Sequence, residues 1–184
     1  MEHNDEYFIL QRGPAPWSTQ YPETQLLGDI DENYSFQFME AIPLSNYSRL
    51  TFTISEKEGL PDMASCGIGV LLFISDTLSS LLKQFNIPFA TYPVRFIEPE
   101  TQAEFSTNHQ LFHLLDVRPG LDFDRSTIRD NGRTIDKIIL REEIFQQKPL
   151  LFRESEVYRS FLYVHRELVS EFERHSITGY KVTP

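Results

Sequence analysis

Cysteine is almost absent. Cys66 is the single thiol in 184 residues, which excludes an intramolecular disulfide and fits a reducing compartment. Long hydrophobic runs are absent too. The longest, Ile68 to Ile74 counting Gly69, falls far short of the ~20 residues that span a bilayer. The opening residues Met1-Glu2-His3-Asn4-Asp5-Glu6 are acidic, the reverse of a signal-peptide n-region. These absences predict a cytoplasmic protein with no membrane insertion. Positive charge is scarce: 17 Lys and Arg against 27 Asp and Glu leave a net charge of −10. No basic cluster of the kind that grips a phosphate backbone is present, so direct nucleic-acid binding is not expected. A basic protein partner is compatible with this charge, and so is the plainer reading of a well-solvated acidic surface.

Catalytic signatures are missing as well. The chain has no G-x-S-x-G, no Walker loop, no H-E-x-x-H and no dinucleotide fingerprint. His109 and His113 could share a face, but a zinc site needs three or four ligands, and Glu104 and Asp116 nearby make no recognisable pattern. Asp122 and Asp124, with Asp116, could hold a divalent cation through oxygen, although no EF-hand spacing accompanies them. Turn and cap hydrogen bonding is the alternative for these carboxylates, as is presentation to a basic partner. Cys66 would need a base and an orienting group to act as a nucleophile, and only spatial approach of His113 or His165 could supply one. The reading is of a non-enzyme with no cofactor and no metal.

What is present is apolar and aromatic material, 40% of the chain with 15 Phe and 8 Tyr. That is enough to build a core for one domain spanning residues 1–184. The expected fold is α+β: a mixed, largely antiparallel sheet, two main helices, and a β-rich N-terminal part over residues 1–65. Tyr7–Leu10 reads as a short strand ended by Pro14 and Pro16. Tyr34, Phe36 and Phe38 alternate with polar residues, as do Leu50, Phe52 and Ile54, which predicts an antiparallel meander. Gly67–Ile74 reads as a strand buried on both faces. Ser75 suits an N-cap for a helix with Leu78, Leu81, Leu82 and Phe85 on one stripe, ended by Asn86 and Pro88. Thr91–Ile97, Leu111–Val117 and Ile135–Leu140 read as strands. Glu98–Asn108 and Asp122–Asn131 read as loops, the second with a helical turn from Ser126. Arg141–Lys148 is ambiguous. Arg153 is expected in a structural ion pair with Glu142, Glu143 or Asp136.

The end of the chain repeats the middle. Leu162-Tyr163-Val164 aligns with Leu72-Phe73-Ile74, Leu168 with Leu78, Phe172 with Leu82, and Ile177 with Ile87. Residues 66–184 thus hold two strand-helix-strand units, the second with its helix over Arg166–Arg174. Gly179 marks a close approach or a bulge, and Ile177, Tyr180 and Val182 are expected in an internal strand.

Several segments carry a family resemblance in their order: Ile74-Ser75-Asp76-Thr77-Leu78; Leu111 to Val117 followed by Leu121-Asp122-Phe123-Asp124-Arg125-Ser126; Leu151-Phe152-Arg153; Leu162-Tyr163-Val164; and Ile177-Thr178-Gly179-Tyr180. Over Gly67–Pro184 the chain resembles immunity family eleven of the bacterial polymorphic-toxin systems. The resemblance implies an immunity protein that binds and neutralises a cognate toxin or effector domain encoded nearby, without catalysis. An enzyme that reverses a toxin's modification is the alternative. Loops on a rigid scaffold commonly carry binding. The candidate contacts are therefore the acidic loops Asp29-Asp31-Glu32, Glu98-Glu100 and Asp122-Asp124, with Trp17 as an aromatic anchor.

Overall fold

The computed structural model describes residues 6–12, 24–28, 32–45, 47–54, 60–66, 71–129, 134–155 and 161–183. In chain order these form β1 (Tyr7–Arg12), β2 (Thr24–Leu27), α1 (Glu32–Met39), β3 (Thr51–Ile54), β4 (Met63–Ser65) and β5 (Leu72–Ser75). Then come α2 (Asp76–Gln84), β6 (Phe89–Pro93), β7 (Arg95–Ile97), β8 (Glu104–Phe105), β9 (His109–Leu114) and β10 (Val117–Arg118). The chain continues through β11 (Thr127–Arg129), β12 (Thr134–Lys137), α3 (Glu142–Gln147), β13 (Leu151–Glu154), β14 (Leu162–His165), α4 (Arg166–Arg174) and β15 (Tyr180–Thr183). The fold is α+β. The sheets run β4-β5-β9-β6, β10-β13-β14-β1-β15 and β2-β3-β7-β8, with a separate β11-β12 pair. Pairing is antiparallel except at β3–β7 and β10–β13 among the described residues.

The two units seen in the sequence share the same plan of caps and pairings. Ser75 caps α2 by accepting from the Leu78 amide, and His165 caps α4 by accepting from Glu167 through Nδ1. Each helix is followed by a residue at φ 53°, Asn86 or Ser176. After it, Ile87 and Ile177 donate back to the carbonyls of Leu82 and Phe172. These bonds satisfy carbonyls that the helix end would otherwise leave open. The strand before each helix pairs alike on its outer side, Met63 with Ile74 and Leu151 with Val164.

Strand alternation then sorts the side chains. Ile74, Phe112, Leu10, Val164 and Leu151 face inward, where Leu78, Leu81 and Leu82 of α2 meet Leu168, Val169 and Phe172 of α4 in one shared core. The opposite faces bury separate cores. Phe73, Leu111 and Tyr92 pack under Tyr34 and Phe38 of α1 and Phe52 and Phe96 of the third sheet. Tyr7, Ile9, Phe152 and Tyr163 pack under Leu140 and Ile144.

The units are tied together at Asp62. Its Oδ1 accepts from Ser75 Oγ at 2.5 Å, and its Oδ2 accepts from both the amide and Oγ1 of Thr178 at 3.0 Å. Gly179 alongside lies at φ +84°, and a Cβ there would sit 2.1 Å from the Met63 carbonyl oxygen. The expected close approach is therefore the one realised, across the two units.

Several expectations are corrected. Tyr34–Met39 is helical, because Tyr34 and Phe38 lie four apart and bury one face of α1; the same spacing satisfies a strand's period of two. The Gly67–Ile74 strand is confined to Leu72–Ser75 within the described residues. Thr91–Ile97 breaks at Val94, with β6 and β7 in different sheets. Likewise Leu111–Val117 divides into β9 and β10, which join different sheets. Both presumed loops contain strands, β8 and β11, the latter where a helical turn was expected. Arg141–Lys148 resolves as α3, so α1 and α3 join the two main helices, α2 and α4, among the described residues. β15 is an edge strand, not an internal one, and Ile177 lies before it.

Candidate functional site

Of the three acidic segments, Asp122-Asp124 lines an open concavity of about 560 Å³ formed by Asp122, Phe123, Asp124, Arg125, Arg141, Glu142 and Glu143. Its two walls are zipped together. Leu121 bridges Leu140, the Asp122 amide donates to the Ile139 carbonyl at 2.8 Å, and the Arg141 amide donates to the Gly120 carbonyl at 2.9 Å. Ser126 Oγ closes the far end, donating to the Ile139 carbonyl and accepting from its amide.

Behind the concavity stands Glu154, fully buried. Its Oε2 accepts from the amides of Gly120 and Leu121, and its Oε1 from Ser155. A carboxylate that accepts several main-chain N–H groups fixes the loop carrying them. Gly120 is needed there because an added Cβ would lie 2.5 Å from the Phe152 ring. The Tyr163 hydroxyl beside it is kept protonated well above neutral pH, first by burial and then by the Glu154 charge.

The concavity wall carries four carboxylates and two guanidiniums. Asp124, Glu142 and Glu143 are exposed. Glu142 and Glu143 occupy the first turn of α3, where the helix dipole favours an anion. Both cations are already engaged. Arg125 lies 3.8 Å from Asp122, and Arg141 Nε donates to the Leu121 carbonyl at 3.0 Å. A surface of this kind offers carboxylates to cationic side chains of a partner.

The other candidates lie elsewhere. Glu98 and Glu100 sit on the β7–β8 turn, where Glu98 accepts from Thr101 Oγ1 and its main chain bonds Gln102 and Ala103. Glu32 opens α1 rather than belonging to a loop. Asp29, Asp31 and Trp17 lie outside the described residues.

The histidines, Asp116 and Cys66 are each engaged within the fold. His109 and His113 lie on one strand with Cα atoms about 13 Å apart by strand rise, and His109 Nε2 is bonded to the Pro61 carbonyl at 2.9 Å. Asp116 holds Arg118 at 2.5 and 2.8 Å instead of joining Asp122. No group of three or more His, Cys, Asp or Glu converges among the described residues. Cys66 is buried and donates to the Leu71 carbonyl.

One further buried cluster was not foreseen. His113 is 1% exposed, edge-on to Phe38 at 4.9 Å, with the Tyr92 ring 6.3 Å from it and in contact with Phe38 as well. Burial, with the Arg153 charge beside it, lowers its pKa to about 4. Arg153 donates from Nη2 to the Met39 carbonyl at 2.7 Å. The arginine expected to meet Glu142, Glu143 or Asp136 thus caps the end of α1, where the dipole favours a cation. Sequence spacing carries no signal for this meeting of β9, β13 and α1.

Compared with protein-family models and with curated proteins, the chain matches none.

Proposed function

We propose that the chain is a non-catalytic immunity protein that binds a cognate toxin domain and occludes it. Two things support this reading: the ordered resemblance over Gly67–Pro184, and the rigidly backed carboxylate concavity at Asp122, Asp124, Glu142 and Glu143. The concavity is the observation that carries the mechanism. Occlusion needs a complementary surface and no bond-making step, and a standard interface buries about 1,600 Å² in total. Exposed carboxylates around a fixed loop attract a basic partner and raise its association rate more than they slow its release. A toxin with Lys or Arg around its active cleft is the partner that fits this charge.

The test is co-expression with the toxin domain encoded beside the gene, followed by binding kinetics on the isolated pair. A 1:1 complex is expected. Reversing Asp122 and Asp124 to Lys slows association at low salt, and salt shrinks the difference as charges are screened. Reversing Glu98 and Glu100 leaves association unchanged. Absence of a complex overturns the function. A complex that ignores the Asp122/Asp124 reversal overturns the contact site alone.

A further inference from the structure

The two units differ in the origin of one strand. In the first, β9 lies between β5 and β6 and follows both in the chain; in the second, the same place between β14 and β15 is taken by β1, which precedes every other element. The equivalence holds residue by residue. Ser75, Ile74, Phe73 and Leu72 pair with His109, Gln110, Leu111 and Phe112. His165, Val164, Tyr163 and Leu162 pair in the same order with Tyr7, Phe8, Ile9 and Leu10. The amide that opens each helix also agrees: Asp76 donates to the Asn108 carbonyl, and Arg166 to that of Glu6.

β1 is the sole ladder neighbour of β15 among the described residues. The groove between β14 and β15 therefore selects a strand on three counts. Main-chain ladders bind it on both edges, Leu10 enters the core around α4, and Tyr7 and Ile9 enter the core beneath Ile144. Tyr7, Ile9 and Leu10 are all buried. Main-chain bonds with alternating side-chain pockets are the usual terms of strand addition.

We propose that the β14/β15 groove is a strand-acceptor site indifferent to how its strand is tethered, and that a second copy of this chain can fill it with Tyr7–Arg12. Exchange replaces each intrachain pair by the identical interchain pair, so the ladder and the buried side chains are conserved. What changes is the path of the chain after Arg12 and the entropy of association, which concentration offsets. The first unit has no such freedom, because β9 lies in mid-chain between β8 and β10, each of which is paired in another sheet.

Two full-length variants test the exchange. The donor-defective chain carries Ile9→Asp and Leu10→Asp; the acceptor-defective chain carries Tyr163→Pro, which breaks β14 opposite Ile9. Co-expressed, they give a soluble 1:1 heterodimer in native mass spectrometry, with a cooperative melt that neither shows alone. A pair that stays insoluble or unassociated overturns exchange, as does a donor-defective chain that melts like the parent by itself. A circular permutant joining Pro184 to Met1 and opened between Gly13 and Pro14 tests the tether with every residue kept. It remains monomeric, melts within a few degrees of the parent, and protects the Tyr7–Leu10 amides from exchange. A permutant that loses the cooperative melt overturns indifference to the tether.

Discussion

Replacing His113 with Leu removes a specific dependence of stability on pH. In the native protein burial and Arg153 bring this histidine from 6.5 to about 4. In the unfolded chain it titrates near its ordinary 6.5. Between these values the unfolded state binds a proton that the native state refuses. Stability therefore falls as pH falls through that window. Above about 6.5 the contribution is complete, and below about 4 both states are protonated and the slope ends. A shift of this size corresponds to roughly 3 kcal/mol across the window, at about 1.4 kcal/mol per pKa unit. His113→Leu keeps an apolar side chain against Phe38 and Tyr92, so at pH 7.5 it lies within about 1.5 kcal/mol of the parent. At pH 4.5 it gains some 2–3 kcal/mol relative to that difference. Urea unfolding of both chains at half-unit steps from pH 4.5 to 7.5 reads the effect. The remaining groups titrate in both chains, among them His109, which burial also lowers; the difference between the curves therefore isolates His113. Parallel curves over pH 4.5–6.5 would refute the assignment of a neutral buried imidazole beside Arg153.

Three further substitutions probe the join between the units, with Gly28→Ala as a comparison away from it. Gly179→Ala, at φ +84° with the Met63 carbonyl in the way, costs more than the ~1–2 kcal/mol of left-handed strain alone. Gly28→Ala, at φ +90° with nothing within 4 Å, costs that strain and no more. Equal losses in thermal unfolding would contradict the close approach. For Asp62→Ala and Thr178→Val, a double-mutant cycle gives a coupling of about 1–3 kcal/mol, as charge-assisted bonds shared by two side chains require; additive losses would dissolve the link.

The parts of the fold legible in the sequence were those specified locally. Ser75 before an amphipathic run marks the start of α2, and Asn86 with Pro88 marks its end. Arg166–Arg174 carries its own stripe, and the recurrence of that plan is visible in Leu168, Phe172 and Ile177. Where two periods coincide, local pattern fails. Tyr34, Phe36 and Phe38 fit a strand as well as they fit one turn of helix, and packing on Tyr92 and His113 decides for the helix. Strands that change sheets fail differently. Nothing at Val94 or Asp116 announces that the ladder is handed to another neighbour, because hydrogen-bond partners come from far along the chain. The site divides along the same line. Asp122 and Asp124 stand out as an acidic turn. Glu142 and Glu143 join them only through the Leu121–Leu140 bridge, a pairing for which neither segment carries a signature.

The placement of β1 sets a timetable for biosynthesis. The sheet around β5 and β9 is complete once the ribosome has released Leu114, and its strands can pair while translation continues. The strand Tyr7–Arg12 emerges before all of them, yet its two neighbours end at His165 and Thr183. At 5–20 residues per second it waits on the order of ten seconds or more with Tyr7, Phe8, Ile9 and Leu10 in water. Four consecutive apolar residues of strand-forming type are a substrate for chaperones and for each other. Polysomes, where many such strands wait side by side, are the setting in which this chain is most exposed to misassembly.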